Sequence, residues 1–338
     1  MYAYVLRSGS LDSLALVERP SSRVGPGQVL VRVRAASLNY RDLLIASGRY
    51  GRTTPTYPIV PLSDAAGEVI ESGPEVSRLK PGDRVAGAFF QRWIDGPFDS
   101  GMGGSALGGA IDGVLAEEVV LEAAAVVRIP DALSFEEAAT FPCAGVTAWV
   151  GLVALGGIEP GETVLAMGTG GVSIFALQFA KKIGARVIVT SSRDDKLQRA
   201  KMIGADDVIN YREVRDWDVR ARELTGGRGV DHILEVGGVE TLPTSLRAVR
   251  EGGHISLVGL LSGGLGDREL AKYNGRGIRV DSIYVGSVRH FEAMNEAVCR
   301  WALHPVVDRV FPFSNARGAY EYLQSAEHVG KVVIDFSR

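Results

Sequence analysis

A glycine-rich turn near the middle of the chain constrains the fold more than any other feature. It joins a strand-like apolar run at 163–167 to a helix-like run that begins at Ser173. Glycine lets the backbone turn tightly and approach a ligand, and the N-terminus of a helix offers unpaired N–H groups and a positive dipole. This pattern predicts a seat for the pyrophosphate of a dinucleotide, although Ser173 stands at the last glycine position of the fingerprint. The turn residues expected to contact the cofactor are Gly168, Gly170, Gly171 and Val172.

Strand-like and helix-like runs alternate after this turn. Short β-branched or apolar runs occur at 186–190, 207–210, 230–236, 254–258 and 278–285. Several of the intervening stretches have apolar residues at helical spacing. Such alternation implies right-handed crossovers and a single parallel sheet. The sequence therefore predicts an α/β fold with a Rossmann-type, doubly wound parallel sheet.

The first third of the chain has a different pattern. Residues 29–35 alternate as a half-buried strand does, and Pro-Gly turns stand at 26–27 and 81–82. Short strands broken by such turns indicate an antiparallel, barrel-like domain. Strand-like runs at 306–311 and 330–335 look like further parts of the same barrel. The barrel is therefore predicted to be assembled from both ends of the chain.

Length and composition agree with two folded domains. A chain of 338 residues exceeds what one hydrophobic core usually organises. Hydrophobic residues make up 46% of the chain and charged residues 23%, which gives no sign of disorder. We predict a barrel domain formed by residues 1–125 and 300–338, and a dinucleotide-binding domain formed by residues 126–299.

Charge and cysteine content limit the partners. A net charge of -3 gives no electrostatic reason to expect nucleic acid or an anionic membrane surface. Cys143 and Cys299 are the only cysteines, which allows no disulfide framework and fits a reducing cytosol. The first residues lack the apolar core of a signal peptide, and no run approaches the ~20 apolar residues of a membrane span. We expect a cytoplasmic protein that acts on a small molecule, with no nucleic-acid or membrane partner.

Four motifs, together with the glycine turn, give the chain a family resemblance. They are SLNYRD at 37–42, AAGEV at 65–69, KPGDRV at 80–85 and AGVTAW at 144–149. With this spacing the chain resembles the medium-chain dehydrogenase/reductase superfamily over nearly its whole length. It looks most like the quinone oxidoreductase branch and its enoyl-reductase relatives. The resemblance implies a GroES-like barrel domain, an oxidoreductase activity, and a homodimer that pairs sheet edges at 278–285.

The same resemblance raises the question of zinc. In zinc-dependent members, three ligands hold the catalytic metal at positions that carry Asn39, Ser63 and Cys143 here. An amide, a hydroxyl and one thiol do not make a competent Zn²⁺ site. The segment 89–113 lacks the four cysteines of the family's structural zinc lobe, and the five histidines show no ligand spacing. We therefore expect a zinc-free enzyme, in which Cys143 packs beside the nicotinamide pocket.

The end of the second Rossmann strand predicts the cofactor. An NAD enzyme usually has Asp or Glu there, because a carboxylate accepts hydrogen bonds from the ribose 2′-hydroxyl. This chain has Ser191, Ser192 and Arg193, and Lys196 lies one helical turn further on. Hydroxyls and cations suit a 2′-phosphate, so we predict NADPH. The alternative is that Arg193 and Lys196 are solvated residues of a helix start, with Asp194 as its N-terminal acid.

The resemblance implies further cofactor contacts. Tyr211 matches a position near the 2′-phosphate, and Thr147 matches a residue that packs at the nicotinamide. Val258 and Gly259 end the strand whose following loop passes the nicotinamide ring. Lys331 occupies the place of a basic residue that reaches the pyrophosphate; the alternative is an exposed strand lysine.

Catalysis without a metal requires hydride delivery and a proton donor. Conjugated acceptors suit this chemistry, because a developing enolate oxygen needs only hydrogen-bond stabilisation. By resemblance to thioester reductases, Tyr40 and Tyr50 are the candidate donors, and a phenol with a pKa near ~10 is protonated at neutral pH. The alternative is that both tyrosines are aromatic walls that shape the pocket. Asn39 is expected to orient the substrate or the ribose.

Three functions follow from these observations. The first is an NADPH-dependent reductase of quinones or α,β-unsaturated carbonyl compounds. The second is a zinc-free alcohol or aldehyde dehydrogenase that uses NADP, and the third is a non-catalytic NADPH-binding sensor or structural protein. The aromatic and glycine-rich segment 89–113 is expected to act as a flexible substrate lid or as an ordered turn that replaces the zinc lobe.

Overall fold

The computed structural model describes residues 1–50, 55–259 and 275–337. The chain divides into two compact units. The first unit contains Met1–Val146 and Val285–Arg338, and the second contains Thr147–Tyr284. Residues 126–146 and 285–299, which were predicted to belong to the dinucleotide-binding domain, lie in the first unit.

The strands are short, and most contain five residues or so. In chain order they are β1 Tyr2–Leu6, β2 Leu14–Glu18, β3 Gln28–Ser37, β4 Asp64–Ser72, β5 Arg84–Gly87, β6 Glu118–Glu122, β7 Val126–Arg128, β8 Thr163–Met167, β9 Arg186–Ser191, β10 Asp207–Asn210, β11 Val230–Glu235, β12 Val249–Leu257, β13 Arg279–Ser282, β14 Val307–Pro312 and β15 Lys331–Asp335. β3 is the longest of them and lies at the centre of the first unit, because it pairs with β4, β6 and β15.

The α-helices lie mostly in the second half of the chain. They are α1 Tyr40–Ala46, α2 Ser100–Gly103, α3 Phe135–Ala138, α4 Val146–Trp149, α5 Gly171–Ile183, α6 Asp194–Ile203, α7 Trp217–Leu224, α8 Leu242–Ala248, α9 Val288–Trp301 and α10 Ala316–Gln324. Tighter turns occur at Leu11–Ser13, Ala123–Ala125 and Phe313–Asn315, and wider π-helical turns at Phe141–Gly145 and Val150–Ala154. Within the described residues, no helix is long and apolar enough to cross a membrane.

A mainly antiparallel sheet organises the first unit. Its strand order is β14-β15-β3-β4-β5-β7, and β6 pairs with β3 beside this path. Hydrophobic residues of β1, β3 and β4 pack with those of α10 and β15 in one core that includes the buried Leu6, Val31, Val69 and Tyr320. The two ends of the chain therefore fold together, as the sequence predicts for the barrel domain.

A parallel sheet organises the second unit. Its strand order is β10-β9-β8-β11-β12-β13, and every pair is parallel. All five residues of β8 are buried, as expected for a central strand that is covered on both faces. Numbered within the unit, the order is 3-2-1-4-5-6, which is the doubly wound Rossmann order. The predicted Rossmann-type fold is confirmed.

Candidate functional site

The glycine turn connects the end of β8 to the start of α5. Gly168 has a φ of 76°, a left-handed conformation that favours glycine, and its N–H donates to the Thr190 carbonyl at 2.8 Å. The hydroxyl of Ser173 is buried and donates to the Met167 carbonyl at 2.5 Å. Ser173 therefore ties the first turn of the helix to the last residue of the strand, which explains a serine at the third glycine position.

Gly170 shows what the turn leaves accessible. Its φ of -74° is one that any residue adopts, and a Cβ built at Gly168 or Gly170 meets no protein atom within 4 Å. Neither backbone strain nor packing therefore requires glycine at position 170. A missing side chain there keeps the N-terminus of α5 open to an anion, which is the geometry that a pyrophosphate needs. The turn fits a dinucleotide cofactor.

A crevice of about 410 Å³ opens at the carboxyl ends of the parallel strands. Parallel α/β sheets bind ligands at this edge, where the strand order reverses between β8 and β11. Residues that follow or end four neighbouring strands line it, together with the start of α7: Met167, Gly168, Thr190, Tyr211, Arg215, Trp217, Val236, Gly237 and Thr241. We call it the strand-end crevice.

A buried carboxylate shapes one wall of the strand-end crevice. Glu235, the last residue of β11, is fully buried. Its Oε1 accepts hydrogen bonds from the N–H groups of Gly237 at 2.8 Å and Gly238 at 3.0 Å, and from the Thr241 hydroxyl at 2.6 Å. The Ser245 hydroxyl donates to its Oε2. Glu235 was not predicted from the sequence, although an acidic residue that ends an apolar parallel strand is a usable signal.

Tyr211, which was predicted to lie near the 2′-phosphate, lines the strand-end crevice. Its N–H donates to the carbonyl of the buried Ser191 at 3.1 Å, which holds the ends of β9 and β10 together. Ser192 follows as a half-buried residue. The fold therefore brings Ser191 and Tyr211 together from positions 20 residues apart in the sequence.

Arg193 and Lys196 have different surroundings. The guanidinium of Arg193 is exposed and pairs with Asp195 through two hydrogen bonds, of 2.9 and 2.7 Å. Lys196 is only 8% exposed, so the alternative that it is a solvated lysine is wrong. Neither residue lines the strand-end crevice, whereas Arg215, which was not predicted, does.

Of the residues predicted at the nicotinamide, Thr147, Val258 and Gly259 are in the second unit, whereas Cys143 is in the first. Thr147 is buried in α4. The N–H groups of Val258 and Gly259 both donate to the Glu235 carbonyl, at 2.9 and 3.1 Å. A Cβ at Gly259 would lie 2.2 Å from the Val236 carbonyl oxygen, so only glycine fits there. The loop that follows Gly259 lies outside the described residues.

A second polar site lies in the first unit, around the ammonium of Lys331. Lys331 is 2% exposed, so it is not the exposed strand lysine of the alternative prediction. Its Nζ donates to the Leu38 carbonyl and to Asn39 Oδ1, both at 2.6 Å, and lies 3.9 Å from Asp64 Oδ2. We call the side chains of Asn39, Ser63, Asp64 and Lys331 the Lys331 cluster.

Burial raises the pKa values of two carboxyl groups in and beside the Lys331 cluster, those of Asp64 and Asp42. The hydroxyl of Ser63 donates to Asp64 Oδ1 at 2.6 Å and the N–H of Cys143 to Asp64 Oδ2 at 3.0 Å. Burial raises the pKa of Asp64, and the charge of Lys331 opposes this shift. Burial also raises the pKa of Asp42, which accepts a hydrogen bond from the Asn39 N–H at 2.7 Å, to about 6.

The three positions that hold zinc in zinc-dependent members do not fit a metal here. Asn39 Oδ1 accepts a hydrogen bond from the Lys331 ammonium, and the Ser63 hydroxyl donates one to Asp64. Cys143 is the one strong zinc donor among the three positions, and burial, reinforced by the charge of Asp64, raises the pKa of its thiol. Within the described residues, no group of three or more His, Cys, Asp or Glu side chains is arranged to hold a metal ion.

The two candidate tyrosines differ in exposure. Tyr40, the first residue of α1, is 59% exposed. Tyr50 is half-buried, and the guanidinium of Arg41 lies 5.2 Å from its ring centroid. The same guanidinium lies 4.4 Å from the Phe89 ring and donates to the Leu107 carbonyl at 2.9 Å. Tyr50 and Phe89 therefore both make cation–π contacts with Arg41, which no sequence signal predicted.

The segment 89–113 forms an ordered aromatic lobe. Phe89, Phe90 and Trp93 are each less than a tenth exposed and pack with Ala106 in one cluster. The partly buried Cys143 packs against them, as do Phe98, Met102, Ala110 and Val285. This arrangement agrees with an ordered segment in place of a cysteine-rich zinc lobe, and it explains the aromatic residues as packing groups.

The fold and the two polar sites define a nicotinamide-dependent oxidoreductase with a Rossmann-type unit and a GroES-like unit. Two family models match the chain: the alcohol dehydrogenase GroES-like domain over residues 25–131, and zinc-binding dehydrogenase over residues 171–300. The chain belongs to the medium-chain dehydrogenase/reductase superfamily and is alcohol dehydrogenase-like.

Curated relatives include single proteins and parts of much larger ones. A zinc-type alcohol dehydrogenase-like protein, C1773.06c of Schizosaccharomyces pombe, is 45% identical over 318 residues, which are 92% of this chain and 92% of the relative. The phenolphthiocerol synthesis polyketide synthase Pks15/1 of Mycobacterium marinum is 33% identical over 96% of this chain, which spans 14% of that protein.

Solved structures agree in fold and differ in cofactor. A putative alcohol dehydrogenase from Sinorhizobium meliloti 1021 has a TM-score of 0.90 and 41% identity, with 99% of this chain and 98% of that chain covered. An NAD-dependent alcohol dehydrogenase has a TM-score of 0.87 at 33% identity, with 99% of each chain covered. Mycobacterial Rv1454c complexed with NADPH has a TM-score of 0.82 at 27% identity, with 99% of this chain and 100% of that chain covered.

Proposed function

We propose that this protein is a zinc-independent, NADPH-dependent reductase of quinones or α,β-unsaturated carbonyl compounds. One observation carries the proposal: the residues at the metal-ligand positions are an amide whose oxygen accepts a hydrogen bond from an ammonium, a hydroxyl that donates to Asp64, and a single thiol. Such a donor set does not favour a Lewis acid, so acceptors that need strong polarisation are poor substrates. Conjugated acceptors need less polarisation, because hydrogen bonds suffice to stabilise their enolate or phenolate oxygen.

The chain's own residues divide the work of such a reaction. The open N-terminus of α5, beside Gly170, binds the pyrophosphate, and Glu235 holds the wall of the strand-end crevice in place. A bound NADPH supplies the hydride. Tyr40 or Tyr50 donates a phenolic proton to the reduced acceptor, and Asn39 orients the substrate or the ribose. Lys331 fixes the amide of Asn39 through its hydrogen bond to Oδ1.

The preference for NADPH rests on the end of β9. The chain has Ser191, Ser192 and Arg193 there, in place of the carboxylate that favours NAD, and Tyr211 lines the crevice nearby. Binding titrations test this part of the proposal. NADH held as tightly as NADPH would contradict it.

A substrate panel tests the reaction. NADPH oxidation is followed with a quinone, an enone, an enoyl-thioester and a simple aldehyde, using protein purified without chelator and analysed for zinc. We expect turnover of at least one conjugated acceptor, little turnover of the aldehyde, and no change on addition of chelator. Preferred turnover of alcohols or aldehydes would favour the dehydrogenase alternative, which the alcohol dehydrogenase-like relatives support. Tight NADPH binding without any turnover would favour a sensor.

Phenylalanine substitutions test the proton donors. On the best conjugated substrate, Tyr40→Phe or Tyr50→Phe is expected to lower kcat by about 10²-fold if that phenol donates the proton, since general acid catalysis contributes 10² to 10⁴-fold. The other variant serves as the control. If both variants keep the original kcat, the tyrosines are pocket walls and the donor lies elsewhere.

We also propose that the protein is a cytoplasmic homodimer. β13 is one of the two edge strands of the parallel sheet in the part of the chain that the structure describes, the other being β10, and an unpaired edge invites pairing with a second copy. Light scattering on the purified chain tests the oligomeric state. A monomer at micromolar concentration would contradict the proposed dimer.

A further inference from the structure

Arg215 is the cation on the wall of the strand-end crevice. It follows β10 and precedes α7, and it lines the crevice together with Tyr211, Thr190 and Gly168. Thr190 lies at the end of β9 and Gly168 begins the glycine turn, so this part of the crevice adjoins the seat of the pyrophosphate. Arg215 therefore lines the same crevice as the first glycine of the pyrophosphate turn.

The neighbouring charges single out Arg215. Arg193, one of the two predicted phosphate-binding cations, makes paired hydrogen bonds to Asp195, and the other, Lys196, is buried. Arg215 is exposed, and among the described residues it has no ion pair or hydrogen bond. A planar guanidinium with five N–H donors is well suited to bind a phosphate monoester.

We propose that Arg215 is the residue that recognises the 2′-phosphate of the cofactor, with Tyr211 beside it. This inference rests on the proposed preference for NADPH and names the side chain responsible. It places the main phosphate ligand four residues beyond Tyr211, whereas the end of β9 contributes by lacking the carboxylate that would repel the 2′-phosphate. No sequence pattern identifies Arg215, since its role depends on the path of the chain after β10.

Binding titrations of the full chain with four probes test the proposal. Adenosine 2′,5′-bisphosphate and NADPH carry the 2′-phosphate, whereas 5′-AMP and NADH lack it. Arg215→Gln is expected to weaken binding of the first pair by roughly tenfold or more, because hydrogen bonds to a charged group are the strong ones. Binding of the second pair is expected to stay within about twofold. Added salt should reduce the discrimination by the original protein and change that of the variant little.

Arg212→Gln is the matched control. Arg212 is exposed in the same loop but does not line the crevice, so its substitution is expected to leave all four affinities unchanged. Equal weakening of all four probes by Arg215→Gln would overturn the proposal in favour of stacking on the adenine. Undiminished preference for the 2′-phosphate in Arg215→Gln would also overturn it, while leaving the proposed NADPH preference intact. An original protein without any preference would contradict that proposed function itself.

Discussion

The strand-end crevice of the second unit and the Lys331 cluster of the first unit are built in opposite ways. The crevice consists of strand ends and small residues, and its buried carboxylate, Glu235, accepts four hydrogen bonds. The cluster collects side chains from three distant segments around one buried ammonium. The first arrangement is common to dinucleotide-binding units, because it depends on backbone geometry. The second is where this chain departs from zinc-dependent members of its superfamily.

The two units also contain buried aspartates, Asp231 and Asp42, whose pKa values are shifted in opposite directions. In the second unit, burial would raise the pKa of Asp231, but hydrogen bonds from Arg228 at 2.6 Å and Arg250 at 2.5 Å outweigh it and lower the pKa to about 2. In the first unit, burial dominates at Asp42 and raises its pKa to about 6. Two guanidinium groups pair with Asp231 and stabilise its ionised form, whereas burial without such pairing favours the neutral form of Asp42.

The largest expected effect is at Lys331. Lys331→Met removes the ammonium and leaves Asp64 and Asn39 Oδ1 buried without it, so we expect a loss of about 3–5 kcal/mol in the free energy of unfolding. Urea unfolding followed by tryptophan fluorescence measures it. Lys331→Arg, which keeps the charge, is the control and should lose less. A loss below about 1 kcal/mol in Lys331→Met would show that the cluster is not held by its charge.

The NADPH affinity of the same Lys331 variants tests whether Lys331 also contacts the cofactor. If Lys331 reaches the pyrophosphate, as the family resemblance implies, Lys331→Met weakens NADPH binding as well as the fold. If its ammonium only holds the Lys331 cluster, the folded variant binds NADPH unchanged.

The next effect is at the glycine turn. Gly170→Asp places a side chain and a negative charge where the pyrophosphate binds, so NADPH affinity should fall at least about 100-fold, or ~2.8 kcal/mol. Stability should be unchanged, because the new Cβ meets no protein atom and aspartate is a favoured N-cap residue. Calorimetric titration measures the affinity for NADPH, and thermal unfolding measures the stability. Gly170→Ala is the control and should lose less affinity for NADPH. If Gly170→Asp lost as much free energy of unfolding as free energy of NADPH binding, the assignment of this turn to the pyrophosphate would be contradicted.

The smallest effect is the pH dependence that comes from Asp42. A folded-state pKa of about 6, above the ordinary 3.8, means that Asp42 contributes stability below pH 4 that is lost as the pH rises through about 6. Between pH 5 and 7 this loss amounts to about 1 kcal/mol. Asp42→Asn keeps an acceptor for the Asn39 N–H and cannot ionise, so its stability should fall less over this range.

Comparing the original protein with Asp42→Asn separates the titration of Asp42 from that of its neighbours. Arg41, Asp64, Lys331 and Tyr320 interact with the carboxyl of Asp42 and are present in both. Unfolding free energies measured at pH 5 and pH 7 give the difference. Identical pH profiles for the original protein and Asp42→Asn would contradict a raised pKa.

Much of the second unit was predictable from the sequence, because its signals are local. A run of apolar residues such as 163–167 marks a buried parallel strand, and Gly168 and Gly170 mark the turn that follows it. These features depend on backbone geometry and side-chain size, which neighbouring residues determine. The lack of metal-binding side chains at Asn39 and Ser63 was likewise a matter of residue type alone.

What the sequence by itself determined is therefore the order of the elements, the two-unit fold of the superfamily and the pyrophosphate turn. The tertiary structure decided which side chains meet. It places Lys331 against the carbonyl of Leu38, 293 positions away, sets Tyr50 against Arg41, and puts Arg215 on the wall of the crevice. Such contacts depend on how separate segments pack around a shared core, and no spacing within one segment specifies them.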